Sequence, residues 1–420
     1  METLDDQNLD IARFVRPGDR VVCGQGTAEP LTLAEALVSQ AAAIGPFSLF
    51  LGVGFSQSFG ADAPETIAFS SYGAMGTMLG LSRTGRLQVD PIPYGALTRS
   101  FADRSRRADV VFLQLARKPD GRLNMGMAWD YTIEAARHAR TVIAEIMDDL
   151  PLSAGGDLPD DFRVDAVLHS RRRPCEPPAA KASEAAARIG RNVAGIIPDG
   201  AVLQIGVGSL PDAILNELTG HRRLGLHSGV ASDAVVALVE RGAMDNSSKP
   251  FDTGVAVCGS LFGSGRLRRF ADRNTGLRLE SALYTHDFGR LASIPGMTAL
   301  NSVLEVDLLG QANSELLNGM PVGGIGGQGE FAAGAMASQG GRSILSLNAT
   351  AAGGRVSRVV PRVAKVSAAA DTADVLVTEF GAADVRGIHG AERARRIISI
   401  AAPAFREDLE RALHENGGEP

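Results

Sequence analysis

The sequence predicts an α/β protein made of two tandem open α/β domains. Three observations carry that reading. Short apolar runs of strand length alternate with amphipathic stretches of helix length along the chain, the pattern of parallel sheets covered by helices. Glycine is abundant, at 49 of 420 residues, while aromatics make up only 5%. Such a balance suits close packing of helix on sheet and lets backbone approach a ligand. The plan also repeats: a strand ending in a Gly-rich turn and leading to a helix occurs at Gly24-Gln-Gly26 and again at Gly206-Val-Gly208. At 45% hydrophobic and 21% charged residues, the chain is globular and long enough for two cores.

In chain order, Arg20 to Cys23 reads as a strand and Leu31 to Leu37 as a helix. Phe47 to Leu51, Asp109 to Leu113 and Thr141 to Ile146 are strands of the buried, parallel type, with helical character over Asp130 to Arg137. Asp149 to Pro178 then breaks the alternation with proline, glycine and charge. That break sets an expected boundary near 180, with one domain over 1–180 and a second over 181–420. Ala180 to Ala194 is expected to be a helix, Ala201 to Ile205 a strand, and Pro211 to Leu218 a helix with proline near its start, where a missing N–H is tolerated. Val255 to Cys258, Ser343 to Leu347 and Asp374 to Thr378 read as strands; Ala391 to Ile400 and Phe405 to His414 read as helices.

Composition excludes several function classes. The net charge of −6 carries no nucleic-acid footprint, which needs clustered excess Lys and Arg. The basic run Arg171 to Arg173 sits before prolines and reads as a solvated linker. Cys23, Cys175 and Cys258 form no CxxC pair, so neither a metal site nor a redox dithiol is expected, and so sparse a count fits a reducing cytoplasm. The acidic N-terminus lacks an apolar signal core, and no run reaches the roughly 18 apolar residues of a membrane span. A soluble cytoplasmic protein is expected.

Four segments carry candidate chemistry. Gly206-Val-Gly-Ser-Leu-Pro-Asp212 follows a strand and opens a helix, a place where free amides and the helix dipole attract phosphate or a carbonyl oxygen. It is not a dinucleotide fingerprint, because Pro211 stands where the third glycine belongs. Val322-Gly-Gly-Ile-Gly-Gly-Gln328 has four glycines in five residues; such density either frees backbone amides to point into a cavity, where two could bind the developing oxyanion of a thioester under attack, or marks a flexible loop. Asn301 to Gln311 alternates with period 2 and reads as a strand with Glu305 and Asp307 on one face. Paired carboxylates suit acid/base work, or equally a structural pairing with Arg355 and Arg358. Gly24-Gln-Gly-Thr-Ala-Glu-Pro30 offers one carboxylate, Glu29, for a ligand or a helix cap. His227 and Ser228 are adjacent, so on a strand their side chains point oppositely and form no nucleophile–base pair. His286, in Tyr284-Thr-His-Asp287, reads as a packed or surface histidine.

Taken together, these motifs resemble the acetyl-CoA hydrolase/transferase family of class I CoA-transferases. The resemblance runs through Gly206 to Ala213, Leu224 to Asp233, Glu305 to Leu308 with Gly310-Gln311, Gly326 to Gln328, Thr378 to Gly381, Arg386-Gly387 and Glu392 to Ala394. It implies two α/β domains with the active site in the cleft between them, a homodimer, and no permanently bound cofactor. Coenzyme A thioesters would be the substrates, with a carboxylate or other acceptor. It also implies that Gly206, Val207, Gly208, Ser209 and Leu210 line the CoA site with Gly323 and Gly327, and that Gly327 supplies an oxyanion N–H.

The resemblance has one departure. The family's nucleophile is a glutamate two residues beyond the position of His227, which becomes acylated and then carries the CoA thioester. In this chain that position is Gly229, and no glutamate lies between Glu217 and Glu240. A covalent glutamyl-CoA route is therefore closed. Three readings stay open: hydrolysis, with Asp233 or Glu305 as base; direct transfer between two bound substrates; and a non-catalytic acyl-CoA binder or partner subunit.

Overall fold

The computed structural model describes residues 1–178 and 183–415. By residue contact they divide into two units. Unit 1 is Met1–Pro178 with Val257–Thr285 and Met320–Gly326; unit 2 is Ala179–Ala256 with His286–Gly319 and Gly327–Pro420. Two segments from the second half of the sequence thus group with the first.

Unit 1 is built on a sheet whose strands run, edge to edge, Glu2–Leu4, Ala166–Ser170, Thr141–Met147, Val110–Arg117, Arg20–Cys23, Phe47–Phe50, Ile67–Ser71 and Leu87–Val89. Every neighbouring pair along that path is parallel. The inner strands form because their residues are mostly buried on both faces. Thr141–Met147, for instance, is buried at six of seven positions. One of these is Glu145, whose carboxylate accepts from the Thr32 amide at 2.8 Å and the Thr32 hydroxyl at 2.7 Å. Those donors open the helix Leu31–Ile44, so a buried charge and a helix N-terminus satisfy each other. Val21, Leu49, Phe69, Phe112, Ile143 and Leu168 anchor the core between sheet and helix. Asp130 caps the helix Tyr131–His138 through the Thr132 amide.

Unit 2 repeats the plan. Its strands run Gly225–Ala231, Val202–Ile205, Met297–Ser302, Arg342–Ser346, Val375–Thr378 and Gly381–Asp384, parallel except for the last. Two apolar clusters pack it, one around Val202, Leu291, Met297 and Phe331, the other around Val306, Leu345, Leu376 and Ile397. In both units the chain leaves a central strand toward one edge and later returns to its other side. Arg20–Cys23 and Val202–Ile205 are those central strands. Each ends in a Gly-rich turn, so both turns lie at the carboxyl ends of strands where the strand order reverses, the usual ligand position in open α/β sheets.

Two expectations need correction. Asn301 to Gln311 is not one strand. Met297–Ser302 belongs to the main sheet, while Glu305–Asp307 pairs with Ala312–Asn313 and Val359–Val360 in a small separate sheet. A period of two persists across the change of sheet and cannot register it. The Pro-rich stretch 149–178 also contains a full strand, Ala166–Ser170, paired in the unit 1 sheet. The helix expected from Ala180 runs Glu184–Ala194 with Ser183 as its cap; residues 180–182 of that expectation lie outside the described residues.

Candidate functional site

Strand register assembles the site in unit 2. Val202 and Leu203 pair with Gly225 and Leu226. The same offset brings Gly229 level with Gly206, at the carboxyl edge of the sheet. Ser228 fastens this edge: its hydroxyl accepts from the Ile205 amide at 3.1 Å. Gln204 and Asn301 exchange side-chain amide bonds on the next strand at 3.0 and 3.1 Å. Beyond them Gly206 donates to the Leu300 carbonyl, and the turn opens the nine-residue helix Ser209–Glu217. Gly208, its N-cap, has φ 125° and ψ −179°, a region essentially reserved for glycine. Val207 is 49% exposed and Ser209 is exposed, while Gly206 and Leu210 are half-buried. The backbone of this turn therefore faces solvent at a helix N-terminus, as an anion or carbonyl site requires.

Gly229 itself lies on Gly225–Ala231 and is half-buried. A Cβ added there would stand 3.1 Å from Cε1 and 3.4 Å from Nε2 of His286, and 3.7 Å from Phe331. Gly327 faces the same ring: a Cβ there would overlap Nε2 and lie 2.6 Å from Cδ2. Gly327 is the N-cap of the helix Gln328–Ala337, with φ −91°, and the first amides of a helix have no intrahelical acceptor. His286 is 5% exposed, and its ring lies 4.5 Å from that of Phe331. Sequence reasoning passed over His286 as a packing residue. Its only one-dimensional signal was the pair of glycines that make room for it.

The other expected residues fall as follows. Asp233 opens the helix Asp233–Glu240, just past the end of the Gly229 strand. Its neighbour Ser232 donates to Asp212 at 2.6 Å; burial raises the Asp212 carboxyl above its ordinary value, and the charge of Asp233 adds to the rise. Glu305 accepts from Arg358 at 3.1 Å and from Asn313 at 2.9 Å. Asp307 is fully buried and accepts from the Leu309 and Gln311 amides. The structural pairing with Arg358 is thus present. His227 is buried edge-on to Phe251 at 6.2 Å, and Ser228 serves the strand edge, so the two make no catalytic pair.

Gly323 belongs to unit 1, where its carbonyl accepts from the Ala74 amide at 2.9 Å. Gly73 and Gly324 approach there so closely that a Cβ on Gly324 would meet the Gly73 Cα at 3.0 Å. Glu29, also in unit 1, is fully buried and accepts from the Phe55 and Ser56 amides. Burial pushes its carboxyl up to about 7, while those amides pull it back. It caps no helix, since Pro30 fills that place. A hollow of about 940 Å³ in unit 1, lined by Arg20, Arg104, Arg106, Arg107, Arg140 and Arg163 among others, contains none of the expected site residues. Among the described residues there is no cluster of three metal-ligating side chains, no disulfide, and no helix long and apolar enough to cross a membrane.

Comparison with known proteins agrees with this architecture. The family model of the acetyl-CoA hydrolase/transferase C-terminal domain matches residues 263–413. The chain is 34% identical over 331 residues to a 4-hydroxybutyrate coenzyme A transferase of Clostridium kluyveri, covering 78% of this chain and 77% of that protein. Among solved structures, RipA from Yersinia pestis matches with a TM-score of 0.92 at 28% identity, and a 4-hydroxybutyrate CoA-transferase from Porphyromonas gingivalis with 0.81 at 27%. Both cover 99% of this chain and 98% of the other. The fold is therefore that of the class I CoA-transferases. The chain belongs to the acetyl-CoA hydrolase/transferase family. The sequence relatives are named as CoA transferases and acetyl-CoA hydrolases, so the reading as a silent binder finds no support among them.

Proposed function

We propose that this protein is an acyl-CoA hydrolase that works without a glutamyl-CoA intermediate. One observation carries the reading. The strand position where the family resemblance puts a nucleophilic glutamate is Gly229, and the space in front of it is taken by the ring of His286. Without a carboxylate there, no acyl or CoA group can be parked on the protein at that point. Water is then the simplest acceptor.

The remaining machinery suits that chemistry. The turn Gly206 to Leu210, exposed over Val207 to Ser209, offers amides at a helix N-terminus for the CoA portion. The Gly327 amide, at the start of Gln328–Ala337, would hold the thioester oxygen as negative charge develops on it. Gly323 is assigned to the CoA site by resemblance alone. Of the two carboxylates considered as base, Glu305 is engaged by Arg358 and Asn313, which favours a structural role, and Asp233 begins a helix. A cytoplasmic homodimer with no permanently bound cofactor completes the proposal.

The experiment is turnover of an acyl-CoA panel in ¹⁸O-labelled water. Label entering the released acid supports hydrolysis. CoA release that depends on an added carboxylate supports direct transfer instead.

A further inference from the structure

The arginine-lined hollow of unit 1 lies at the opposite end of its sheet from the Gly-rich turn. Arg20 is the first residue of its strand, Asp109 precedes Val110–Arg117, and Arg140 precedes Thr141–Met147. All three line the hollow, which therefore opens at the amino edge of the parallel sheet. Seven arginines and two aspartates line its volume of about 940 Å³, in a chain whose net charge is −6. A second hollow of about 310 Å³ shares Arg20, Arg106 and Arg107 with it and adds Ser48, Ser70 and Ser105. Several of the guanidinium groups are already held in place. Asp19 accepts from Arg140 at 2.9 and 2.7 Å. Asp90 accepts from both terminal nitrogens of Arg106 at 3.0 Å, and the Ala139 carbonyl accepts from Arg163 at 3.0 Å. Neither Asp19 nor Asp90 lines the hollow. Each guanidinium carries five N–H donors, so these arginines keep donors for a ligand.

Two further arginines are uncommitted. Among the described residues, the side chains of Arg104 and Arg107 have no hydrogen-bond or ion-pair partner, and both are exposed. Arg104 follows the C-cap of the helix Tyr94–Ala102 with φ 65°. That is the left-handed position at which glycine is the default. Arginine is costlier there than glycine, and no polar contact of its side chain within the described protein accounts for it.

We propose that this hollow binds a compact polyphosphate, either free or as the phosphate chain of a nucleotide. Guanidinium forks match phosphate oxygens in pairs. Arg104 and Arg107 supply charge with no carboxylate to displace, while Arg106 and Arg140 supply donors already oriented. A concavity of this volume is within the range of small-molecule pockets. Its shape, and Asp109 and Asp161 in its lining, suit a small anion rather than a nucleic-acid strand. The half-buried Phe162 also lines it, an apolar surface for a base when the phosphates belong to a nucleotide. None of the residues assigned to acyl-CoA chemistry lines the hollow, so the site is independent of the hydrolase reading.

The test is calorimetric titration of the full chain with tripolyphosphate, ATP and a poly-glutamate peptide at about 0.1 M salt. Wild type is compared with the double variant Arg104→Gly, Arg107→Ala. Glycine suits the backbone at 104, so the variant should fold, which a thermal melt checks; should it melt early, Arg107→Gln alone carries the same comparison. Wild type should take up tripolyphosphate, and the double variant should bind it at least about tenfold more weakly, the loss expected for charged hydrogen bonds. Equal affinity for tripolyphosphate and ATP would assign recognition to the phosphate chain; tighter ATP would add the nucleoside, and both results support the site. A wild type that binds neither would overturn it. So would a variant that binds both as tightly as wild type, which would put the anion elsewhere, such as at the Gly206 to Leu210 turn. Poly-glutamate held as tightly as tripolyphosphate would overturn it as well, by showing a general basic surface. The readout is binding, so its failure leaves the hydrolase reading untouched.

Discussion

The imidazole of His286 stands where a side chain on Gly229 would project, with Cε1 3.1 Å from the missing Cβ. Real Cβ atoms rarely come that close to a neighbour, so the glycine and the histidine are complementary. A longer group at 229 requires the ring to give way. This relationship shapes any attempt to reintroduce the nucleophile.

Gly229→Glu alone should therefore fail to form an adduct, because its side chain meets a buried ring braced by Phe331. Gly229→Glu combined with His286→Ala opens the volume and should accumulate a glutamyl-CoA thioester with an accepted substrate. Intact-protein mass spectrometry reads both outcomes. An adduct in the single variant would show that the ring does not block the position; none in the double variant would count against placing the nucleophile at 229.

Gly327 has φ −91°, so alanine is acceptable to its backbone, and what opposes it is overlap with the His286 ring and a 3.2 Å approach to Phe331. Gly327→Ala should push its own amide away from the thioester oxygen and lower kcat at least about tenfold, the kind of loss that small misplacements of catalytic groups cause. Acyl-CoA affinity should change much less. Equal losses in kcat and affinity, measured by steady-state kinetics and calorimetry, would place Gly327 in binding instead.

At Gly208 the constraint is the backbone itself, since φ is 125° with nothing within 4 Å of an added Cβ. Gly208→Ala should cost about 1–3 kcal/mol in unfolding free energy through strain alone. Relaxation of the turn should also raise KM for acyl-CoA. Denaturant unfolding and kinetics on the same preparation test the two effects together.

Glu29 predicts a pH dependence of stability. Its folded carboxyl is raised from 4.5 to about 7, chiefly by burial. The folded chain thus holds the proton more tightly than the unfolded chain. The associated stability is fully present below about pH 4.5 and is lost as pH rises through 7, by about 3 kcal/mol in total. Glu29→Gln cannot ionise, so its stability relative to wild type should improve steadily from pH 5 to pH 8. Parallel denaturant curves at each pH would show it, and a constant difference between the two proteins would refute it.

Much of the architecture was legible because buried parallel strands announce themselves as apolar runs. Arg20–Cys23 was anticipated to the residue, and Thr141–Met147 was short by one. The Gly-rich turns at 24–26 and 206–208 were visible because glycine marks a backbone demand, which the φ of Gly208 supplies. Ala166–Ser170 was hidden by the prolines around it, and the step between sheets at Val303 and Leu304 leaves no trace in a period of two. The site was half legible. Gly229 and Gly327 stood out by motif, 98 positions apart. His286 did not, since nothing in Tyr284-Thr-His-Asp287 says that its ring will lie against both. That contact exists only after strand register and helix packing bring three distant segments together.

The most direct measurement is thiol release from an acyl-CoA panel by the wild-type protein with water as the only acceptor. The account predicts catalytic CoA release with no covalent adduct on the chain at any point in turnover. Release that begins only when a carboxylate acceptor is added, or a protein-bound acyl or CoA species caught during turnover, would contradict it.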